Sequence, residues 1–525
     1  MRALPGGSKL LRTSSSRKIK PSVAIIGAGF GGIGAAVKLK EAGFSRITIV
    51  ERAQGPGGTW WHNTYPGAEV DTPSVLYSYS WMPWNWTRTH VRQSELQEYL
   101  EAVIGRYDLA RHMHFGTTVD RVVWDESRQE YEVWSADRVV VRATHVISAV
   151  GLLGDPKIPD WDGLEDFTGP VFHAAQWQHD VDLSGRRVAV VGSGSTAAQL
   201  VPALSEYAKE VITFQREPGW VVPKRSREYT RTERAALNSR IAQRFLRTKF
   251  VLLRERDQVG GALWREGTKV NTAARLGALA HIERVLGDRP DLAEAVTPTH
   301  PFAGKRPVIS DGFYQALLKE NVKLVPRAVK GVVRSGLVDS NGEHHDVDAI
   351  VLATGFKADF LTTYDVIGRN GTSLHELWRG EETAFLGIMA KNVPNFFMLY
   401  GPNTNGGTIV TNLELQIDYV VGAIKAAHRR GASAVEISPL AQDLYDSAIQ
   451  RRLEGTTFHF ENNYYRSKTG RISTQWPEGV IVYAILTKLL RWPLWRFSFE
   501  VGRSDEKRPP QMQPEPFEQR AAIPR

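Results

Sequence analysis

The sequence predicts an α/β fold built from two doubly wound parallel-sheet units with a helical insertion. Three observations carry that prediction. Two segments repeat one layout of apolar strand, glycine turn and helix, first at Val23–Ile26 and again at Val188–Val191. Short β-branched runs bounded by turn residues lie between them. From Thr230 to Asp291 the pattern changes to Ala, Leu, Arg and Glu at helical spacing. With 525 residues and 42% hydrophobic content, the chain has apolar material for two or three cores.

Residues 1–20 hold Arg2, Lys9, Arg12, Arg17, Lys18 and Lys20, several serines and no acid. That composition is like a transit peptide, but a disordered basic tail is the simpler expectation. The first unit opens with Val23–Ile26, a glycine turn, a helix over Ile33–Ala42 and a strand over Ile47–Val50. Tyr131–Trp134 and Val139–Val141 read as strands of an inserted sheet, and Ile147–Val150 as a return to the first sheet. The first part of this unit spans 21–160. The second unit occupies 161–229 and, after a helical subdomain at 230–291, resumes over 292–345. Its first strand follows the turn-prone Leu183-Ser184-Gly185. Ile350–Gly355 reads as a strand and turn that return the chain to the first unit, whose second part is 346–503. Residues 504–525 are rich in Pro, Gln and charge and are expected to be disordered.

Composition excludes several classes. The chain has no cysteine, so disulfides, thiolate metal sites and a redox-active cysteine pair are ruled out. The net charge of +9 is interspersed rather than blocked, which gives no stripe for nucleic acid. No secretory h-region is present, and the most apolar stretch, Gly479–Leu486, falls far short of a spanning helix. The expected location is cytoplasmic. Lys488–Phe497, basic and Trp-bearing, fits either a membrane interface or a packed C-terminal helix broken at Pro493, and the packed helix is the simpler reading.

The two glycine turns differ in chemistry. In the first, Gly27, Gly29 and Gly32 permit a tight turn, close approach to a pyrophosphate and close helix packing, while the helix N-terminus offers N–H groups to the anion. Glu51 lies about 20 residues past Gly32, where a carboxylate accepts from a ribose diol. The second turn carries Gly192, Gly194 and Ala197, with Ser195 and Thr196 opening the helix. Its next strand leads to Arg216 at the same offset. A base there pairs with a 2′-phosphate and selects NADPH over NADH. Glu217 opposes that phosphate, and Lys224 or Arg225 are candidates to offset it. An acid-ended site beside a base-ended site implies two Rossmann-like dinucleotide-binding domains, one for bound FAD and one for diffusible NADPH, with hydride transfer between them.

These residues resemble the Baeyer–Villiger monooxygenases, which are related to the flavin-containing N- and S-oxygenases. Gly57, Gly58, Trp60, Tyr65, Pro66, Gly67 and Asp71 fit the family's GGxWxxxxYPGxxxD pattern, with Thr59 inside it. Phe167, Gly169, His173 and Trp177 fit FxGxxxHxxxW, but Gln178 follows where the family usually has Pro or Asp. With Ala353-Thr354-Gly355-Phe356 and Gly401-Pro402-Asn403, the resemblance covers residues 20–480. It implies that NADPH and O2 are used to insert oxygen beside a ketone carbonyl through a flavin C4a-peroxide, giving an ester or lactone. Heteroatom oxygenation and a non-catalytic nucleotide-binding role are the alternatives.

The resemblance also assigns residues. Gly58, Thr59 and Trp60 would border the flavin. Lys305, Arg306 and Pro307 match the family's Lys-Arg-Pro segment, which implies Arg306 over the flavin, Asp71 holding it, and Lys305 toward the cofactor. His173 would coordinate domain movement from a linker rather than act as a base. Asn462 to Tyr465, Gly470 and Trp476-Pro477 would belong to the flavin domain. The helical insertion and residues 403–411 are expected to form the substrate pocket. The choice among ketones and the oligomeric state are not readable.

Overall fold

The computed structural model describes residues 21–499, apart from 358, 359, 362, 461, 462, 464, 468 and 492. The expected tails at 1–20 and 504–525, and Asn462 and Tyr464, lie outside the described residues. Among these residues the fold is a mixed α/β architecture around two parallel sheets.

In the first sheet the strand order is Phe396–Met398, His145–Ser148, Ser22–Ile26, Arg46–Val50 and Met113–His114, all parallel. The central strand, Ser22–Ile26, is buried at every position, as expected for a sheet covered on both faces. The helix Phe30–Glu41 covers it and packs against Ile409–Arg430, which ends at Gly431 with φ +71°. The inserted sheet comprises Asp365–Ile367, Arg121–Asp125, Glu130–Ser135 and Arg138–Ala143.

The second sheet repeats the plan with Val322–Val325, Glu210–Phe214, Arg187–Val191, Ala349–Leu352 and Val171–His173. Two expectations are corrected here. Ala349–Leu352 pairs with Arg187–Val191 in this sheet, so the chain returns to the first unit after that strand rather than at 346. His173 ends a strand of the same sheet rather than lying in a linker.

Three helices between Thr230 and Leu286 each start at a side-chain cap. Thr230 and Glu233 form a capping box, and Ser239 and Thr268 accept from Ala242 and Asn271 N–H. Helices Arg231–Leu237, Arg240–Gln258 and Lys269–Leu286 result. Near the C-terminus, the expected helix broken at Pro493 is replaced by helix Val480–Leu489 followed by strand Trp495–Ser498, which pairs antiparallel with Ala434–Ile437. The aromatic residues Trp495 and Phe497 of that last strand suit a strand beside Ala434–Ile437, and this outweighs helical continuation.

Candidate active site

Gly27 and Gly192 explain why both turns need glycine. Their φ values are +105° and +141°, and a Cβ would sit 2.6 Å from Ala149 O and 2.2 Å from Ala353 O. Each turn brings a strand end and a helix start against the C-terminal edge of its sheet, where doubly wound folds bind ligands. The helices Phe30–Glu41 and Ser195–Leu204 begin after Gly29 and Gly194 with no side-chain cap, so their first N–H groups are left for an anion.

At the first turn, Glu51 is buried and accepts N–H bonds from Ala28 at 2.7 Å and Ala53 at 2.8 Å. It borders a cleft with about 1350 Å³ of atom-free space, open in part to solvent, lined also by Gly27, Gly29, Gly58, Thr59 and Trp60. Gly32 has a different role from its neighbours. A Cβ there would lie 1.9 Å from Gly27 O, so it permits the helix to close on the turn.

The long fingerprint joins the two units. Its first part closes the cleft, with Trp60 Nε1 donating to Tyr77 OH at 3.2 Å. Its second part docks on the helix Ser195–Leu204, where Tyr65 OH donates to Gln199 Oε1 at 2.8 Å and Gln199 Nε2 donates to Glu69 O at 3.0 Å. Gly67, at φ +83°, lets the backbone approach that helix. The loop then delivers Asp71 to Arg306, whose Nη2 donates to Oδ2 at 2.7 Å. The two side chains retain 22% and 40% of their surface, so both remain accessible to a ligand.

Charge around that pair is strongly cationic. Packing alone would raise the Asp71 carboxyl, but Arg306, Arg254 and Lys224 outweigh it and hold the group below its ordinary value. Tyr77 and Tyr400 line the cleft, and both feel the charges of Asp71 and Arg306. Burial pushes the Tyr77 hydroxyl up to about 12, so it stays protonated. Arg254 was not singled out in the sequence. It reaches in from helix Arg240–Gln258, is largely enclosed, and donates to Thr408 Oγ1 at 3.3 Å. A run of several arginines on one helix gives no sequence signal for which one turns inward.

At the second turn, Ser195 and Thr196 open the helix, and Ser193 Oγ donates to Glu217 O at 2.8 Å, tying the turn to the segment that carries Arg216. Arg216 is exposed just past its strand. The charge of Glu217 is met by Lys305 Nζ at 2.5 Å. Neither Lys224 nor Arg225 serves that purpose. Lys224 is buried and bonded to Glu69 Oε1 and Val70 O, while Arg225 sits in a turn whose N–H donates to Asp311. Asn463 Nδ2 donates to Gly304 O at 2.5 Å, which fixes the turn leading into Lys305 and Arg306.

His173 has a fixed proton arrangement. Ala175 N–H donates to Nδ1 at 3.1 Å, so the remaining proton on Nε2 donates to Gly355 O at 3.0 Å. Burial lowers its pKa, partly offset by the Gly355 bond. A neutral ring with both nitrogens engaged ties two strand ends together and is not placed as a general base.

Two parallel sheets, each ending in an uncapped glycine turn, with an arginine–carboxylate pair beside the first cleft, define the architecture of an oxidoreductase that handles two dinucleotides. The pyridine nucleotide-disulphide oxidoreductase family profile matches residues 24–250. In a chain without cysteine that match concerns the nucleotide fold rather than dithiol chemistry. A Baeyer–Villiger monooxygenase of Pseudomonas aeruginosa is 35% identical over 475 residues, covering 89% of each chain. The FAD-binding monooxygenase ktnD of Aspergillus niger is 32% identical over 495 residues, covering 90% of this chain and 81% of the relative. The solved structure of an oxidized steroid monooxygenase bound to NADP superposes with a TM-score of 0.83 at 29% identity, covering 92% of this chain and 100% of that one. The chain belongs to the Baeyer–Villiger monooxygenase family.

Proposed function

We propose that this protein converts a ketone, O2 and NADPH with a proton into an ester or lactone, NADP⁺ and water, with FAD held in the first cleft. The residues fit that cofactor. Gly27 keeps the turn tight against Ala149, the helix Phe30–Glu41 offers free N–H groups to a pyrophosphate, and Glu51 faces the cleft where a ribose diol would bind. When bound, FAD takes hydride from NADPH and activates O2 for transfer of one oxygen atom. The FAD-binding and NADP-bound relatives support both assignments.

The protein's own residues supply positioning and charge. Gly192, Gly194, Ser195 and Thr196 would receive the NADPH pyrophosphate, and Arg216 the 2′-phosphate. Lys305 neutralises Glu217 so that Arg216 is not opposed. Trp60 and Tyr77 wall the cleft and limit water. The reading rests chiefly on the bond between Asp71 Oδ2 and Arg306 Nη2. The bond fixes a permanently charged guanidinium that stays 40% exposed near Tyr77 and Tyr400 of the cleft, where it would stabilise negative charge developing on the transferred oxygen and on the substrate carbonyl oxygen. Asp71 fixes the orientation of that cation, and Arg254 adds a second positive charge behind it.

The test is product analysis with a ketone and a sulfide offered separately. Ester or lactone from the ketone, lost in Arg306→Ala, supports the assignment. Sulfoxide alone assigns the protein to heteroatom oxygenation instead.

A further inference from the structure

One face of the helical insertion is apolar where it meets solvent. On helix Arg240–Gln258, Leu246 and Phe250 pack on the core, while Ile241, Phe245 and Leu252 point outward, with Ile241 83% and Phe245 68% exposed. At 3.6 residues per turn those three fall in one stripe. Exposed Arg240, Arg244 and Lys249 flank it. Among the described side chains of this helix, Glu255 is the one carboxylate, and it is buried, accepting the backbone N–H of Val480 at 2.5 Å.

That bond places the end of this helix against the start of Val480–Leu489, which carries a second exposed stripe of Ile481, Ile485 and Leu489, with Lys488 beside it. Single exposed apolar residues need no explanation, but two stripes on abutting helices, edged by cations, do. No helix among the described residues is long and apolar enough to cross a membrane. Pairing with a second copy would set cation against cation across a two-fold axis.

We propose that this face docks on an anionic lipid surface, with the stripes entering the headgroup boundary and Arg240, Arg244, Lys249 and Lys488 meeting lipid phosphates. The opposite side of helix Arg240–Gln258 carries Arg247, bonded to Glu414, and Arg254, beside Asp71. Docking therefore sets the site about one helix diameter, roughly 10 Å, from the lipid boundary, within reach of lipid-dissolved substrates.

The test is co-sedimentation of the full-length, FAD-loaded protein with vesicles of phosphatidylglycerol and phosphatidylcholine, against pure phosphatidylcholine. Binding to anionic vesicles is expected to be roughly tenfold tighter or more, and to fall with salt. Phe245→Ser with Leu252→Ser, and Arg244→Glu with Lys249→Glu, are each expected to abolish it while turnover of a water-soluble ketone is unchanged. Equal binding to neutral vesicles, no binding to either, or a concentration-dependent dimer abolished by the same variants overturns the proposal. Because the wild-type comparison decides between lipid compositions without any substitution, a variant that fails to fold does not affect the outcome.

Discussion

Arg306 and Asp71 stand 235 residues apart in the chain and meet at 2.7 Å between Nη2 and Oδ2. The loop that carries Asp71 is anchored on Gln199 of the second unit, and the turn that carries Arg306 is anchored by Asn463. The pair is therefore sensitive to how the two units and the C-terminal segment fit together.

Replacing Arg306 with Ala removes the charge-stabilising group but leaves both nucleotide turns intact. Ester formation is expected to fall about 100- to 1000-fold in kcat. NADPH consumption should continue, with oxygen appearing as hydrogen peroxide. Measuring both products in one assay separates lost oxygen transfer from lost hydride transfer, and normal ester yield contradicts the role of Arg306.

The Asp71 carboxyl is held below its ordinary value by surrounding cations that outweigh its burial. A group whose folded pKa is depressed contributes stability above its unfolded value and loses it as pH falls through the folded one. Asp71→Asn should therefore be less stable than the parent by a constant margin above about pH 4, and the margin should shrink only in stronger acid. Thermal unfolding of both proteins from pH 3 to 8 reads this directly. By the same reasoning, no acidic limb of activity above pH 5 should belong to Asp71.

Gly27 and Gly194 should respond differently to the same substitution. Ala at Gly27 meets Ala149 O at 2.6 Å in a positive-φ conformation, so it is expected to cost roughly 2–5 kcal/mol and to leave the purified protein without flavin colour. At Gly194 a Cβ meets nothing within 4 Å, so the protein should fold normally, retain its flavin and show only a raised KM for NADPH. Absorbance spectra and KM values distinguish the two.

Arg216→Gln is expected to raise KM for NADPH about 10- to 100-fold, as loss of a charge-assisted phosphate contact does. The value for NADH should hardly change. Lys305→Ala should move KM for NADPH in the same direction, because Glu217 loses its partner and faces the phosphate. Equal effects on both nucleotides would contradict this arrangement.

His173 has its folded pKa lowered by burial, partly opposed by its bond to Gly355. Its neutral form is the folded form, so its contribution to stability is present above about pH 6.5 and declines as pH falls. His173→Ala should destabilise by roughly 1–3 kcal/mol and leave the pH profile of ester formation without a lost inflection near neutrality.

The nucleotide turns were legible because close backbone approach leaves a local mark, as at Gly27 and Gly192. Asp71 and Arg306 were legible only through family patterns, since nothing local reports a contact across the whole fold. The strand expected within Ile350–Gly355 spans Ala349–Leu352 and lies in the second sheet instead of leading into the first. The inner strands Ser22–Ile26 and Ala349–Leu352 are buried on both faces, so an apolar run does not say which neighbours it takes. Arg254 was missed because one inward arginine among several depends on how the helix is rotated, which tertiary packing decides.

The most direct test supplies the FAD-loaded protein with NADPH, a simple ketone and isotopically labelled ¹⁸O2, then determines the label in the product by mass spectrometry. The expected product is an ester or lactone carrying one ¹⁸O atom, with one NADPH consumed per product molecule and the yield collapsing in Arg306→Ala. Unlabelled product, or peroxide as the sole fate of oxygen in the parent protein, would contradict it.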